Sequence, residues 1–532
     1  MPQPEWWKTG VIYQIYPRSF LDPSGDGIGD LRGITTKLGY LKDLGISAIW
    51  LSPIFPSPDV DFGYDTSEYT GIDPKFGTIA DFDKLLAEAH NNGIRIILDL
   101  ALNHTSDQHP WFQQSRLSKD SRYSDWYIWK NPAPGGKEPN NWQSVFGGSA
   151  WKYDEVRQQY YYHMFTPQQP DVNWRNPDVR KVMINVLRYW LNKGVDGFRL
   201  DVFNQFFKSA NFEDNPGKLG LRGFDRQKHV YDTNQPEMIE LVKEIRALMD
   251  EYPETYVVGE TFLADQNMVK SYTEPGMLHA AFDFFLLNCK FQAKCYSDWI
   301  TQMRDYVDKG YWPTTVLNNH DTKRSASRYE DNETDERSKV AATALLTLPG
   351  TPYMYYGEEL GMRDIQLSRG QVKDPVGKMF WPFHKGRDGC RAPMQWNALG
   401  NAGFTGGSPW LPVNPDFSTR NVQVLAADEK SIFSVYKQLI SLRKFFRAFS
   451  LGAFVTLKSP AGVIGYKRTF ELQEFLVYLN FEKTASTIDL PRGIGNRHWK
   501  LMFSTKSTTY DEMIFSGVPI PGESALIFVL SE

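Results

Sequence analysis

Ile96-Ile97-Leu98-Asp99-Leu100-Ala101-Leu102-Asn103-His104 is an aliphatic run that stops on a polar pair, and the chain repeats the device three more times. Val195-Asp196-Gly197-Phe198-Arg199-Leu200-Asp201, Tyr256-Val257-Val258-Gly259-Glu260 and Thr314-Thr315-Val316-Leu317-Asn318-Asn319-His320-Asp321 each end on a carboxylate. A short β-branched or aliphatic run ending at a charged residue reads as a strand buried on both faces. Such a strand delivers a side chain at its C-terminal end. Four of them at domain-scale separations predict an α/β barrel, whose active site gathers at that end of the strands. Asp201, Glu260 and Asp321 then converge on one pocket.

Working outward, eight strands are expected near residues 11–16, 48–52, 95–101, 195–202, 255–261, 280–285, 314–319 and 352–356. Helical spacing lies between them, with Phe82, Leu85, Leu86 and Ala89 in 78–92, and Val179, Val182, Val186, Leu187 and Leu191 in 177–193. Strand, helix, strand at this rhythm gives parallel pairing with right-handed crossovers. The long Asn-, Gly-, Pro- and Trp-rich interval after the third strand, with a strand-like stretch at 158–165, predicts a subdomain over the barrel mouth. Gly361 to Pro412 predicts a second wall of the pocket. After a helix at 431–446, short alternating runs at 462–468, 474–481 and 525–530 predict an all-β tail. The expected architecture is a (β/α)8 TIM barrel with an inserted subdomain and a C-terminal antiparallel β-sandwich. Its divisions are 1–103 and 174–450 for the barrel, 104–173 for the insertion and 451–532 for the sandwich.

Size and charge agree with this. A chain of 532 residues is too long for one simple core. The net charge of -4, from 59 basic and 63 acidic residues, argues against nucleic acid or anionic membrane as partners. No run is long enough to span a bilayer and the start has no apolar signal region, so a cytoplasmic location is expected. Cys289, Cys295 and Cys390 make no metal or redox motif, and an odd number suggests no disulfide scaffold. The sequence leaves the oligomeric state open. Aromatic residues make up 14% of the chain. Trp142, Phe146, Trp151, Trp174, Trp312, Trp396 and Trp410 sit in loops, where an aromatic either pins the loop or offers a flat face to a sugar.

Arg199 and Asp201 are two residues apart, so in a strand they share a face. A guanidinium beside a carboxylate favours the ionised form that a nucleophile needs. Glu260 ends its strand in apolar company, and burial there would raise its pKa towards general-acid duty. Two carboxyl groups about 5 Å apart with split pKa values make a retaining glycosidase. A lone strand-end acid is more often a cap or a loop salt bridge, but that reading does not account for four such ends together.

Those four segments resemble the motif set of the α-amylase superfamily of retaining α-glycosidases, glycoside hydrolase family 13. The resemblance covers essentially the whole chain, from Val11-Ile12-Tyr13-Gln14-Ile15-Tyr16-Pro17-Arg18-Ser19-Phe20 to the β-rich tail. Gln169-Pro170-Asp171-Val172-Asn173-Trp174 and Arg391-Ala392-Pro393-Met394-Gln395-Trp396 are similar to motifs of its oligo-1,6-glucosidase, dextran glucosidase and α-glucosidase branch. The resemblance implies Asp201 as nucleophile, Glu260 as acid/base and Asp321 as the third acid, gripping the sugar hydroxyls. It implies His104 and His320 as hydrogen-bond donors at the same subsite, Arg199 as the holder of the nucleophile and Tyr64 as the platform under the terminal glucose. It further implies Asp65 paired with Arg391 at the terminal 4-hydroxyl, and Phe146 and Phe165 as lining aromatics. The substrate is then a small oligosaccharide, and catalysis needs no cofactor.

Asp22-Pro23-Ser24-Gly25-Asp26-Gly27-Ile28-Gly29-Asp30 resembles the branch's metal loop, with oxygen ligands at alternate positions suited to a structural Ca²⁺. Its ligands would be Asp22, Ser24, Asp26, Ile28 and Asp30; the alternative is an acidic turn without metal. In the same branch a Val after the nucleophile goes with α-1,6 linkages, and Val202 stands there. Lys323, Asn397 and Phe203-Asn204-Gln205-Phe206 depart from the 1,6-glucosidase pattern. The rival activities are an α-1,4-glucosidase and a sucrose-active transglucosidase or isomerase, which often carries an arginine-rich entrance loop. The stretch Thr322-Lys323-Arg324-Ser325-Ala326-Ser327-Arg328 is basic but does not match that loop. A non-catalytic, transporter-associated relative would carry a transmembrane helix and lose part of the acid triad.

Overall fold

In the computed structural model, which describes residues 5–263, 265–330, 332–491, 498–506 and 516–531, eight parallel strands curl into a nearly closed barrel. They are β1 (Ile12–Ile15), β2 (Ala48–Leu51), β3 (Arg95–Leu100), β4 (Gly197–Leu200), β5 (Tyr256–Gly259), β6 (Ala280–Ala281), β7 (Thr314–Val316) and β8 (Thr351–Tyr355). The ladder runs β7-β8-β1-β2-β3-β4-β5-β6, so β6 and β7 are its two edges. Thr314 Oγ1 stitches that seam, donating to the Ala281 carbonyl at 3.2 Å and accepting from Asp283 N at 3.1 Å. The sixth strand is shorter than the run at 280–285 suggests, because the chain turns into a 3₁₀ segment at Phe285–Asn288.

Side-chain parity explains how this barrel is filled and where its chemistry lies. Inward positions Ile12, Ala48, Trp50, Ile97, Tyr256, Val258, Val316 and Tyr353 form an interior apolar cluster of their own. Outward Tyr13, Ile49, Leu98, Phe198 and Val257 pack into the helical layer. Two residues on from inward Ile97 is Asp99, two on from Gly197 is Arg199 and then Asp201, and two on from Val258 is Glu260. The same step from Val316 leads to Asn318 and His320. Each strand thus changes from apolar to functional on one face as it leaves the core.

The helices start where the sequence places their caps. Thr78 and Asp81 form a reciprocal capping box for α1 (Ile79–Asn91), which buries Phe82, Leu85, Leu86 and Ala89. Asn176 caps α2 (Pro177–Asn192), with Pro177 in the first turn. The insertion after β3 carries a three-stranded antiparallel sheet of Trp129–Lys130, Gln159–Tyr162 and Trp151–Asp154, with 159–162 in the middle. The tail forms a five-stranded antiparallel sheet and a two-stranded one, facing each other over Leu476, Tyr478, Ile488, Ile520, Leu526 and Phe528.

Three expectations are settled in this frame. The six loop tryptophans each donate an indole hydrogen bond, Trp142 to Glu213 O and Trp396 to Phe20 O among them, so they pin loops. Cys289 and Cys295 are bonded to each other, and Cys390 is free and buried. This corrects the inference from an odd count, which carries no information about two thiols six residues apart that a turn brings together. Among the described residues no helix is long and apolar enough to cross a membrane.

Candidate active site

Arg199 is the hub of the site. From β4 it donates through Nη1 to Asp99 Oδ1 and to Asp201 Oδ1, both at 2.6 Å, and its Nη2 lies 2.5 Å from Glu260 Oε2. Parallel register sets Asp99 beside Arg199, and Arg199 beside Val258, whose inward successor is Glu260. Gly259 is required for this approach, since a Cβ there would lie 2.3 Å from the Phe203 ring. Asp99 is fully engaged, accepting also from Trp50 Nε1 at 3.1 Å and Tyr64 Oη at 2.9 Å. Burial lifts its carboxyl to about 6.

The balance at Asp201 differs from the simple pairing argument. Burial pushes its carboxyl well above the usual range, Arg199 opposes this, and the nearby charges of Glu260 and Asp99 add to it. Asp201 and Glu260 sit on the two amino groups of the same guanidinium, so their carboxyl groups lie side by side. One guanidinium is thus shared by three acids. Glu260 Oε2 also accepts from Val202 N at 3.2 Å.

Asp321 stands opposite with its charge secured. Burial works against the ionised form, but His320, Arg387 and Arg391 outweigh it and hold the carboxyl well below the usual range. Oδ1 accepts from Arg391 Nη2 at 3.0 Å and Arg387 Nη1 at 3.2 Å, and Oδ2 lies 3.1 Å from His320 Nε2. Burial lowers His320 to about 3 and His104 to about 4, so both are neutral imidazoles at neutral pH. Tyr64 lies parallel to His320 at 5.4 Å between ring centroids. His104 is held by the Tyr64 carbonyl at 3.1 Å and the Gln169 amide at 3.2 Å.

Asp201, Glu260 and Asp321 line one cavity of about 280 Å³, together with Tyr64, His104, Phe146, Phe165, Val202 and His320. Asp65 and Arg391 do not line it, and they do not pair. Asp65 is buried beneath, accepting from Ser57 Oγ, Val60 N and Asp61 N. Arg391 donates to the His320 carbonyl and to Asp321. The charged pair facing the cavity is Asp61 and Arg387, at 2.5 Å, with Phe146 5.3 Å from the guanidinium. The pattern Asp61-Phe62-Gly63-Tyr64-Asp65 holds two acids four apart, and Arg387 and Arg391 are likewise four apart, so the sequence offers two equivalent pairings. Val145, Gln169, Phe262, Phe284, Leu287, Asn288, Asn319 and Thr322 complete the lining, and none of them is assigned a site role of its own from sequence. The basic stretch after Asp321 is structural at its arginines: Arg324 donates to the Cys390 and Tyr356 carbonyls, and Arg328 to those of Cys289 and Leu317.

Val202 lies past the end of β4 with φ 35°, in the left-handed region that a β-branched side chain avoids. It is therefore not a strand residue, as its place after the nucleophile suggested. The turn it makes is what aims its N–H at Glu260.

The acidic loop closes on itself. Asp22 Oδ1 accepts from Ser24 Oγ and Gly25 N, and Oδ2 from Gly27 N and Thr405 Oγ1. Asp26 accepts from Ile28 N, and Asp30 caps a short helix through Gly33 N. With both Asp22 oxygens doubly occupied, these residues as placed do not form a cation cage. Among the described residues no group of three or more His, Cys, Asp or Glu is placed to hold a metal ion.

Comparison with known proteins places these features in context. Residues 14–452 match the family model for the catalytic domain of alpha-amylase. The chain is 41% identical over 506 residues to a probable alpha-glucosidase of Rhizobium meliloti, covering 92% of each. It is also 41% identical over 534 residues to an oligo-1,6-glucosidase of Parageobacillus thermoglucosidasius, covering 94% of each. The crystal structure of the alpha-glucosyl transfer enzyme XgtA superimposes with a TM-score of 0.91 at 36% identity, over 99% of this chain and 100% of that one.

Proposed function

The chain belongs to the alpha-amylase family of glycoside hydrolases, and from that premise we propose that it is a retaining, exo-acting α-glucosidase of short α-glucosides, with a preference for α-1,6 linkages. The observation that carries this is the seating of Asp201 and Glu260 on adjacent amino groups of Arg199. Such closeness supports double displacement, since an inverting pair stands about 6.5–9.5 Å apart to admit water.

In this reading Asp201 attacks the anomeric carbon while Glu260 gives its proton to the departing oxygen, leaving a glucosyl ester on Asp201. Water then attacks that ester, its proton returns to Glu260, and α-glucose is released. Asp321, permanently charged, and the neutral His104 and His320 would hold the sugar hydroxyls, with Tyr64 beneath the ring. The Asp61–Arg387 pair would close the glucose end and so restrict cleavage to terminal residues. Val202, beside both carboxyls, supports the α-1,6 preference.

An NMR time course on isomaltose, maltose and sucrose tests this. We expect α-glucose as the first-formed anomer, with isomaltose consumed fastest. β-Glucose first would overturn retention, and a wild type that prefers maltose or sucrose would replace the linkage assignment.

A further inference from the structure

Gln14 stands on β1, two residues on from inward Ile12, and is buried without lining the catalytic cavity. Its Nε2 lies 2.8 Å from His320 Nδ1 and donates to Ser52 Oγ at 3.1 Å. Its Oε1 is buried and has no partner among the described residues. A buried acceptor left bare is costly, and an apolar side chain of the same length would avoid that cost. The cost comes with the donor end, which can meet His320 only with the oxygen turned away.

Which end of the amide faces His320 is decided on the far side of the ring. His320 Nε2 lies 2.7 Å from Tyr64 Oη and 3.1 Å from Asp321 Oδ2. Tyr64 directs its one hydroxyl proton at Asp99 Oδ2, 2.9 Å away, and Asp321 is held ionised. Both oxygens facing Nε2 are therefore acceptors, and a bare Nε2 would set a lone pair against them. The imidazole is neutral, burial having lowered it to about 3, so its single proton belongs on Nε2 and Nδ1 must accept. Gln14 Nε2 supplies the donor that Nδ1 needs. Ser52, whose hydroxyl donates or accepts, fits either end of the amide. The hydrogen bonds then run one way, from Gln14 through His320 and Tyr64 to Asp99, which Arg199 holds together with Asp201.

We propose that Gln14 is a positioning residue of the active site: its amide holds Nδ1 of His320 as an acceptor and so presents Nε2–H to Tyr64, Asp321 and the sugar. Gln14 acts only through His320. What this does for the sugar rests on the glucosidase reading, while the placement of the proton does not.

Neutron diffraction from crystals of the full-length wild type, exchanged into deuterated solvent near neutral pH, reads both ends of the contact. We expect deuterium on His320 Nε2 and none on Nδ1, with a deuterium of the Gln14 amide pointing at Nδ1. Deuterium on Nδ1, or the Gln14 oxygen facing the ring, would overturn the proposal. Gln14→Met keeps the length of the side chain and removes the donor, which separates positioning from packing. We expect its KM for isomaltose to rise about tenfold, the scale of one hydrogen bond, with kcat changed less. A folded Gln14→Met with the KM and kcat of the wild type would make Gln14 structural only, whatever its melting temperature, and would overturn the proposal. If the variant does not fold, the neutron map decides alone. A wild type that acts on no α-glucoside would sink the glucosidase reading and leave the proton on His320 to be read as before, so the two failures are distinguishable.

Discussion

Arg387→Ala removes the one guanidinium that touches three acids at the closed end of the cavity. It lies 2.5 Å from Asp61, 2.6 Å from Asp374 and 3.2 Å from Asp321. Asp321 keeps Arg391, and Asp374 keeps the backbone N–H groups of Gly377 and residue 387. Asp61 keeps the Gln169 amide at 3.3 Å, which carries no charge. The loss is therefore concentrated in one buried carboxylate, and breaking such a pair costs about 3–5 kcal/mol. Burial already raises Asp61 and Arg387 pulls it down, so without the arginine it rises further. A carboxyl raised in the folded state contributes stability that is whole below its unfolded pKa of roughly 4 and is lost as pH rises through the folded value. The deficit of the variant should thus be largest near neutral pH and shrink on acidification towards about pH 5. Urea unfolding of both proteins across that range measures it. Terminal-glucose turnover should fall together with stability, by about 10²–10³ in kcat/KM if roughly 3–4 kcal/mol of positioning is lost. A deficit under about 1 kcal/mol, the range of an exposed ion pair, or one that grows in acid, would refute the reasoning.

As the proposed nucleophile, Asp201 must be ionised to attack, and its carboxyl is held high by burial. The acid limb of kcat/KM should lie clearly above the ordinary aspartate value of roughly 4; a limb at or below that value contradicts the charge balance described for Arg199. Asp201→Asn should cut turnover by several orders of magnitude while its melting temperature holds or rises, because a strained charge is removed; a clear fall in melting temperature would mean that Asp201 supports the fold. Val202→Ala or Val202→Thr should raise kcat/KM for maltose relative to isomaltose by an amount on the order of 1–3 kcal/mol, and an unchanged ratio in both would reduce Val202 to packing. Since the acidic loop is closed by its own donors, a strong chelator should leave the melting curve unmoved. A drop reversed by Ca²⁺ would show that Asp22, Ser24, Asp26, Ile28 and Asp30 rearrange around a cation that binds the native state.

The barrel was legible because inward and outward positions alternate so regularly that the change from Ile97 to Asp99, or from Val258 to Glu260, marks both a strand and its exit. What escaped was decided by contacts across the chain. The run at 280–285 is apolar apart from Asp283, and that residue captures the Phe285 N–H and turns the chain after two paired residues. Asp61 and Asp65 are alike in sequence; only the fold shows that the second is consumed by Ser57 and two backbone donors, leaving the first to face Arg387. Val202 has every local preference for a strand and is held in a left-handed turn. The effect of Arg199 on Asp201 likewise depends on how many acids share it.

Cys289 follows directly on Asn288, in the segment that brings Phe284, Leu287 and Asn288 to the catalytic cavity, and its bond to Cys295 ties that segment to the helix Ala293–Asp308. With only two paired residues in β6 behind it, this wall owes its shape to a covalent tether and to the Arg328 hydrogen bonds rather than to the sheet. A disulfide lasts only where its surroundings are oxidising enough to keep it. Kinetic constants should therefore be compared at a stated thiol condition, since dithiothreitol would remove the tether beside Asn288 while leaving the Arg387 contacts to Asp61 and Asp321 across the cavity without a covalent change.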